Sequence, residues 1–440
     1  MIIQEIIKAK RDGHELSESE IWFVIDGYAK DVIPDYQMSS LLMAIFLRGF
    51  TEKELMVWTG SMIASGVRLD LSDIPGIKVD KHSTGGVGDK CSLICAPIAA
   101  ACGVIVPMMS GRCLCHTGGT IDKLESIPGF RTNIPIPEFK ELLRKHGLAI
   151  ISQTGELAPA DGKLYALRDV TGTVESIYLI ASSIMSKKIA EGTDALILDV
   201  KTGSGAFMKN MDRAEALAVT MSRIGSMHGK RTMALITDMS QPLGTHAGNS
   251  LEVIESIEIL KNRVSNDCSR LSIDLAAHMI LLGKKAGSLG EALSLAGDAI
   301  STGSALAKFR EMIEAQGGSP AVCEDYSIMG SAPESMDIAA DGNGFIISMD
   351  TEMIGTAMIF LGAGRKIMGS PIDHTAGIIF HKKIGVAVRK GEPLCTMFFN
   401  RSFEGVNPEF ARGLISESYK IGEKPSEKIP LILKLIEADT

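Results

Sequence analysis

The 440-residue sequence lacks most of the marks that place a chain in a special class. Its 8 cysteines fall at positions 91, 95, 102, 113, 115, 268, 323 and 395, and none forms the C-x-x-C pair of a zinc ribbon or finger. The chain is too long to need a disulfide framework, and free thiols fit a reducing compartment, the cytoplasm. Basic residues are in deficit: 45 Lys+Arg against 53 Asp+Glu leave a net charge of −8. That balance argues against a nucleic-acid partner, which would select a basic stripe. Neither G-x-x-x-x-G-K-[ST] nor G-x-G-x-x-G occurs in the glycine-rich stretch near residue 85, which disfavours a nucleoside-triphosphate loop and a dinucleotide fold. Residues 91–109 carry no charge, but Pro97, Gly103 and Pro107 interrupt them. The reading is a buried helix over 92–102 and a buried strand over 104–106, with no membrane partner. Residues 1–13 carry charges throughout, as an amphipathic helix does and a signal peptide does not.

Three textures are present. Residues 1–65 read as helices, with capping-box patterns at Ser17-x-x-Glu20 and Thr51-x-x-Glu54. Residues 70–155 and 196–335 alternate apolar strand patterns (GVIVPMM, LAIISQ, ALILDV, TMALITDM) with helical ones. Continuous apolar runs between turns predict strands buried on both faces, hence an α/β unit with a central, mostly parallel or mixed sheet. A helical stretch over about 162–192 interrupts the alternation. Residues 340–440 read as a small β-rich α+β unit, with GFIISMD, GTAMIFLGAG and AGIIFHKKIGVAVRKGEPLCTMFF taken as short strands.

The chemistry concentrates in two loops. In KHSTGGVGDK (81–90) a strand runs into a glycine-rich turn and then a helix, so freed N–H groups can face an anion. Lys81 adds charge, and Ser83 and Ser92 add hydroxyls. In SGRCLCHTGGTIDK (110–123), Ser110, Thr117 and Thr120 add more, beside Gly118 and Gly119. Loops at the carboxyl ends of neighbouring strands are where α/β sheets bind ligands. Arg112 and Asp122 suit an internal ion pair as well as a site. In a third set, Ser183 and Lys187 share a helix face four residues apart, with Arg168 nearby. These donors suit a ligand rich in carbonyl acceptors, and equally a solvated basic face with Lys188.

The stretches KHSTGGVGDK, SGRCLCHTGGTIDKLESIPGF, YALRDVT, IASSIMSKKIAEG, DVKTGSGAFMK and TDMSQPLG resemble the pyrimidine and thymidine nucleoside phosphorylase family. The resemblance implies a homodimer whose helical domain (1–65, completed by 162–192) faces an α/β domain across a cleft. It implies phosphorolysis of uridine, thymidine or deoxyuridine to free base and (deoxy)ribose 1-phosphate. Matched by position, Lys81, Ser83, Ser92, Ser110 and Thr120 hold phosphate. Arg168, Ser183 and Lys187 hold the base, His82 lies beside a base carbonyl, and Tyr165, Leu114 and Phe207 shape the nucleoside pocket. His82, Arg168 and Lys187 are the catalytic candidates. With the ordinary imidazole pKa near ~6.5, proton donation by His82 is open.

Two departures stand out. Cys113-Leu114-Cys115 replaces a Gly-x-Gly pattern, and cysteine resists the φ > 0 that glycine permits. A metal site from Cys113, Cys115 and His116 lacks a fourth ligand. No cofactor is expected beyond phosphate as co-substrate, but one branch of the family has a monovalent-cation site for an ion such as potassium. Gly88, Leu243 and Glu255 match it, whereas Lys90 and His246 do not. Two rival readings stay open at this level. One is a phosphoribosyltransferase of the related fold, with Asp89 as the only evident magnesium holder. The other is an inactive pyrimidine-binding paralogue.

Overall fold

The computed structural model describes residues 1–112, 118–365 and 370–437. Four helices open the chain: α1 (Ile3–Arg11), α2 (Glu18–Ala29), α3 (Asp35–Arg48) and α4 (Glu52–Ala64). Both expected capping boxes form: Ser17 accepts from the Glu20 N–H and Thr51 from the Glu54 N–H, and each glutamate reaches back to the cap. Such caps satisfy donors that the first helical turn leaves orphaned.

The large unit follows as β1 (Val79–Ser83), α5 (Cys91–Ala101), β2 (Val106–Ser110), α6 (Thr120–Glu125), α7 (Ile136–His146) and β3 (Leu148–Ser152). Then come α8 (Pro159–Thr171), α9 (Ile177–Ala190), β4 (Ala195–Thr202), α10 (Met211–Met227), β5 (Arg231–Asp238) and the short β6 (His246–Ala247). Helices α11 (Asn249–Leu260), α12 (Asp267–Leu282), α13 (Leu289–Ser301) and α14 (Ser304–Ala315) complete it. β1, β4 and β5 pair in parallel, and β2 pairs in parallel with β3. Every residue of β4 is buried, as a strand covered on both faces requires. Its side chains alternate between two cores. Ala195 and Ile197 join the core of α5 and α11–α14, while Leu196, Leu198 and Val200 join the core shared with α1–α4, α8, α9 and α10. Thus α8 and α9 pack with the opening helices on one side of the sheet.

The uncharged stretch after residue 90 is a buried helix, as expected, and it runs through Pro97. The strand after it starts later than expected, at Val106, and continues to Ser110, because the chain first turns at Cys102–Gly103 and makes a single parallel bridge at Ile105.

The C-terminal unit contains β7 (Glu334–Ala339), β8 (Gly344–Met349), α15 (Thr351–Phe360), β9 (Gly377–Phe380), β10 (Ala387–Val388), β11 (Pro393–Phe399), α16 (Pro408–Ser418) and β12 (Tyr419–Gly422). GTAMIFLGAG was expected as a strand; its first six residues instead end α15. The helix starts because Asp350 caps the Met353 N–H, and its buried Thr351, Ile354, Gly355 and Ala357 follow helical spacing. The last strand, β13 (Ile432–Glu437), read with the C-terminal unit from its place in the chain, instead pairs antiparallel with β5. That addition makes the large sheet mixed, in the order β1-β4-β5-β13.

Candidate active site

A cleft of about 1140 Å³ opens between the carboxyl ends of β1 and β2 and the helices α8 and α9. The alternation along β1 decides what faces where. Lys81 and Ser83 fall on the face of Val79, toward α5; Asp80 and His82 fall on the opposite face, toward α9.

On the first face, Lys81 is 2 % exposed. Its Nζ lies 3.5 Å from Ser92 Oγ, 3.6 Å from Asp199 and 3.9 Å from Asp89. Lys201 Nζ sits 2.8 Å from the same Asp199. Burial alone would push the Lys81 pKa down, but Asp89 and Asp199 outweigh it and raise it, so the ammonium stays charged. Ser92 lies in the first turn of α5, Ser110 ends β2 and Thr120 begins α6. All three line the cleft together with Lys81 and Ser83. The Ser83 hydroxyl donates to Asp89 and accepts from the Gly85 N–H, so in this state its proton is engaged.

The second face meets the residues expected to hold a base. Arg168 is 2 % exposed, not on a solvated face. Its Nε, Nη1 and Nη2 donate to the carbonyls of Thr173, Leu179 and Val174, leaving two of its five N–H groups uncommitted by these bonds. Lys187 Nζ lies 2.6 Å from Asp161 Oδ2 and 3.2 Å from Ser183 Oγ. Both cations lie near the Tyr165 ring, at 5.7 Å for Arg168 and 5.8 Å for Lys187. Tyr165 and Phe207 are on the cleft wall. The structure therefore brings together every described member of the expected constellation. Lys188, weighed as part of a solvated face, is 1 % exposed and holds Asp80 at 2.7 Å, Met109 O at 2.6 Å and Glu191 at 3.1 Å.

Burial first, and then the like charges of Lys188, Lys187 and Lys81, push the His82 pKa well below its ordinary value. The neutral form of His82 is favoured, and that form can donate an N–H hydrogen bond.

Arg112 does pair with Asp122, at 3.3 Å, and also with Glu125. Arg365 of the C-terminal unit reaches the same Asp122 at 2.7 Å and lines the cleft. Cys113, Leu114, Cys115, His116 and Thr117 lie outside the described residues. Asp161, Asp199, Lys201 and Arg365 were not read as site residues from the sequence. Asp199 and Lys201 carried the one available signal, two opposite charges at the end of an apolar strand. Asp89, Cys91 and Asp199 bring one ligand atom each within 4.8 Å. The ammonium groups of Lys81 and Lys201 lie 3.9 Å or less from both carboxylates, which makes this cluster an ion-pair network.

The residues implied for a monovalent cation also converge. Glu255 accepts from the N–H groups of Thr245 and His246 at 2.8 and 2.9 Å. Gly88 (φ +74°) packs so closely that a Cβ there would lie 2.5 Å from the Leu243 oxygen. Lys90 Nζ, however, lies 2.8 Å from Glu255 Oε2 and 2.8 Å from that same Leu243 oxygen. The place an ion would take is filled by an ammonium, so these residues do not fit an added cation.

Comparison with known proteins agrees with this architecture. Residues 4–66 match the helical bundle domain of a glycosyl transferase family, residues 76–306 its a/b domain, and residues 345–419 the pyrimidine nucleoside phosphorylase C-terminal domain. Among solved structures, anthranilate phosphoribosyltransferase from Thermus thermophilus superposes with a TM-score of 0.57 over 70 % of this chain and 98 % of its own. At 18 % identity that likeness concerns the fold alone. Pyrimidine-nucleoside phosphorylase of Geobacillus stearothermophilus is 52 % identical over 401 residues, covering 91 % of this chain and 93 % of the relative. The Staphylococcus epidermidis protein of the same name is 52 % identical over 396 residues, covering 90 % and 92 %. With its domains matched in order and half its residues shared along nearly its whole length, the chain belongs to the pyrimidine-nucleoside phosphorylase family.

Proposed function

We propose that this cleft catalyses phosphorolysis of pyrimidine nucleosides such as uridine, thymidine and deoxyuridine. Phosphate attacks C1′ of the pentose as the bond to the base breaks. The products are free base and (deoxy)ribose 1-phosphate, which makes the enzyme a pentosyltransferase. The observation that carries this reading is the two-faced cleft, with hydroxyls and Lys81 on the sheet side and Arg168, Ser183 and Lys187 on the helix side.

Roles follow from charge. Lys81, Ser92, Ser110 and Thr120 hold the phosphate, and Ser83 joins them when its hydroxyl turns from Asp89. Negative charge grows on the departing base, and Lys187 and the two uncommitted N–H groups of Arg168 meet it most strongly in the transition state. Neutral His82 donates a hydrogen bond to a base carbonyl. Tyr165 and Phe207 shape the nucleoside pocket.

Asp89, the candidate magnesium holder of a phosphoribosyltransferase, has its pKa pulled down, against burial, by Lys201, Lys81 and Lys123. The network favours a site already balanced in charge and supports the phosphorylase. We also propose a cytoplasmic homodimer. Tyr36, Met43, Phe46 and Leu47 leave large apolar surface exposed on α3, and the six described cysteines are free thiols. Among the described residues no helix is long and apolar enough to cross a membrane. Sedimentation should give twice the chain mass of 47.0 kDa.

The test is base release from uridine and thymidine. Purified protein should release uracil or thymine with phosphate or arsenate and not without them. Equal release without either anion would refute phosphorolysis, and no release under any condition would point to the inactive paralogue.

A further inference from the structure

Lys90 caps α5 and directly follows the anion-binding turn, yet the cleft does not use it. Its side chain is 0 % exposed and its partner Glu255 1 % exposed. A lone buried carboxylate is costly, and Glu255 is compensated from several directions. Besides Lys90 it accepts from the Thr245 N–H and hydroxyl, the His246 N–H and the Asn266 amide. Burial would raise the Glu255 pKa, but Lys90 outweighs it and the pKa falls to about 2.

The surroundings are built for a small cation. Gly244 has φ +72°, and a Cβ there would stand 2.6 Å from both Glu255 oxygens and 2.8 Å from Lys90 Nζ. One ammonium thus links three segments: the turn that carries Asp89 and leads to Ser92, the Leu243–His246 loop, and α11. That loop continues into β6, which pairs with β9 of the C-terminal unit. Lys383 of the same unit donates to the Gly244 carbonyl at 3.0 Å.

We propose that Lys90 is a tethered monovalent cation, seated between Glu255 and the Leu243 carbonyl, which fixes the phosphate turn so that the enzyme needs no potassium. An ammonium and a potassium ion are close in size and equal in charge. The tethered one cannot dissociate, so its occupancy does not vary with salt composition. Lys90 is a positioning residue, because it acts on phosphate only through the turn it holds. The kinetic arm of the proposal rests on the phosphorolysis reading; the thermal arm does not.

The experiment compares wild type, Lys90→Ala and Lys90→Met in potassium, sodium and choline chloride at one ionic strength. Tm and phosphate-dependent kcat/KM are both read. Wild type should vary by less than about twofold among the salts. Lys90→Ala opens space for an ion. In choline it should lose at least about tenfold in kcat/KM, chiefly through the KM for phosphate, and potassium should restore part of the loss and raise Tm saturably. Lys90→Met fills that space without charge, so it should lose activity and gain nothing from potassium. A wild type that needs potassium overturns the proposal, and that arm decides even if neither variant folds. Equal responses of the Ala and Met variants, or no response of a folded Lys90→Ala, also overturn it. If no protein shows activity while Lys90→Ala still gains Tm from potassium, the phosphorolysis reading fails and the tethered cation stands.

Discussion

Lys187→Met removes one charge from the base side while keeping most of the side-chain volume. Two separate losses should follow. The first is in rate. An ammonium aimed at charge that develops on the departing base contributes about 3–4 kcal/mol in the transition state, or roughly 10²–10³ in kcat. The second is in stability. Asp161 is 2 % exposed, its Oδ2 rests on Lys187 at 2.6 Å, and its Oδ1 has no hydrogen-bond partner among the described residues. Without Lys187 the buried carboxylate loses its 2.6 Å ion pair, and the charge of Arg168 nearby compensates it only in part. Breaking a buried pair costs about 3–5 kcal/mol; with the Lys187 side chain 18 % exposed, the low end of that range applies.

The two losses can be separated. Lys187→Met combined with Asp161→Asn removes the stranded charge, so urea unfolding should show a recovery of about 1–2 kcal/mol over the single variant. The rate should not recover, because the missing ammonium is still missing. Base release followed by ultraviolet absorbance gives kcat/KM for all three proteins. A Lys187→Met enzyme within about threefold of wild type would sink the proposed role of Lys187 in the transition state. A double variant no more stable than the single one would show that Asp161 is not stranded, and that the ion pair is not what holds it.

His82 offers a pH test. Its folded pKa is depressed well below 6.5, so the unfolded chain binds a proton that the folded chain refuses. Its contribution is therefore present above pH 6.5 and lost as pH falls toward the folded value; His82→Gln should flatten that part of the stability–pH curve, and an unchanged slope would contradict the neutral imidazole. The cysteines offer a labelling test. Burial raises the thiol pKa of Cys95, Cys102, Cys268, Cys323 (about 11) and Cys395 (about 12). With Cys91 buried as well, rapid iodoacetamide labelling should map to Cys113 or Cys115, abolish activity and be slowed by saturating phosphate; labelling elsewhere, or no protection, would show that these thiols do not line the site.

What the sequence made legible was local. Capping boxes at Ser17 and Thr51 declare themselves within four residues, and a fully buried strand such as β4 declares itself as an unbroken apolar run. Lys81 and Ser83 were recognisable because a strand, a glycine turn and a helix succeed one another directly. What stayed hidden was pairing across distance: Lys188 with Asp80 is separated by 108 residues and Lys90 with Leu243 by 153. A lysine beside another lysine on a helix reads as a wet face until a carboxylate from a distant strand is known to meet it. The C-terminal unit misled for a different reason. GTAMIFLGAG is a short uncharged run bounded by glycines, which suits a buried strand as well as a buried helix, and the Asp350 cap marked the helix.

The same distinction explains which charges were missed. Asp199 and Lys201 close a strand on which every residue is buried, where ions are expensive and rare. Their presence there had to be compensated by other charges, and Asp89 and Lys81 supply the compensation at the mouth of β1. An ionic pair at the carboxyl end of an apolar parallel strand is therefore itself a signal, pointing to the end of the sheet where a charged substrate is met. Read that way, ALILDVKT carries as much information about the proposed anion site as the glycine loop does. It says that most of this charge sits in the interior on rigid strands, with Lys81, Asp199 and Lys201 on β1 and β4 and Asp89 on the turn before α5.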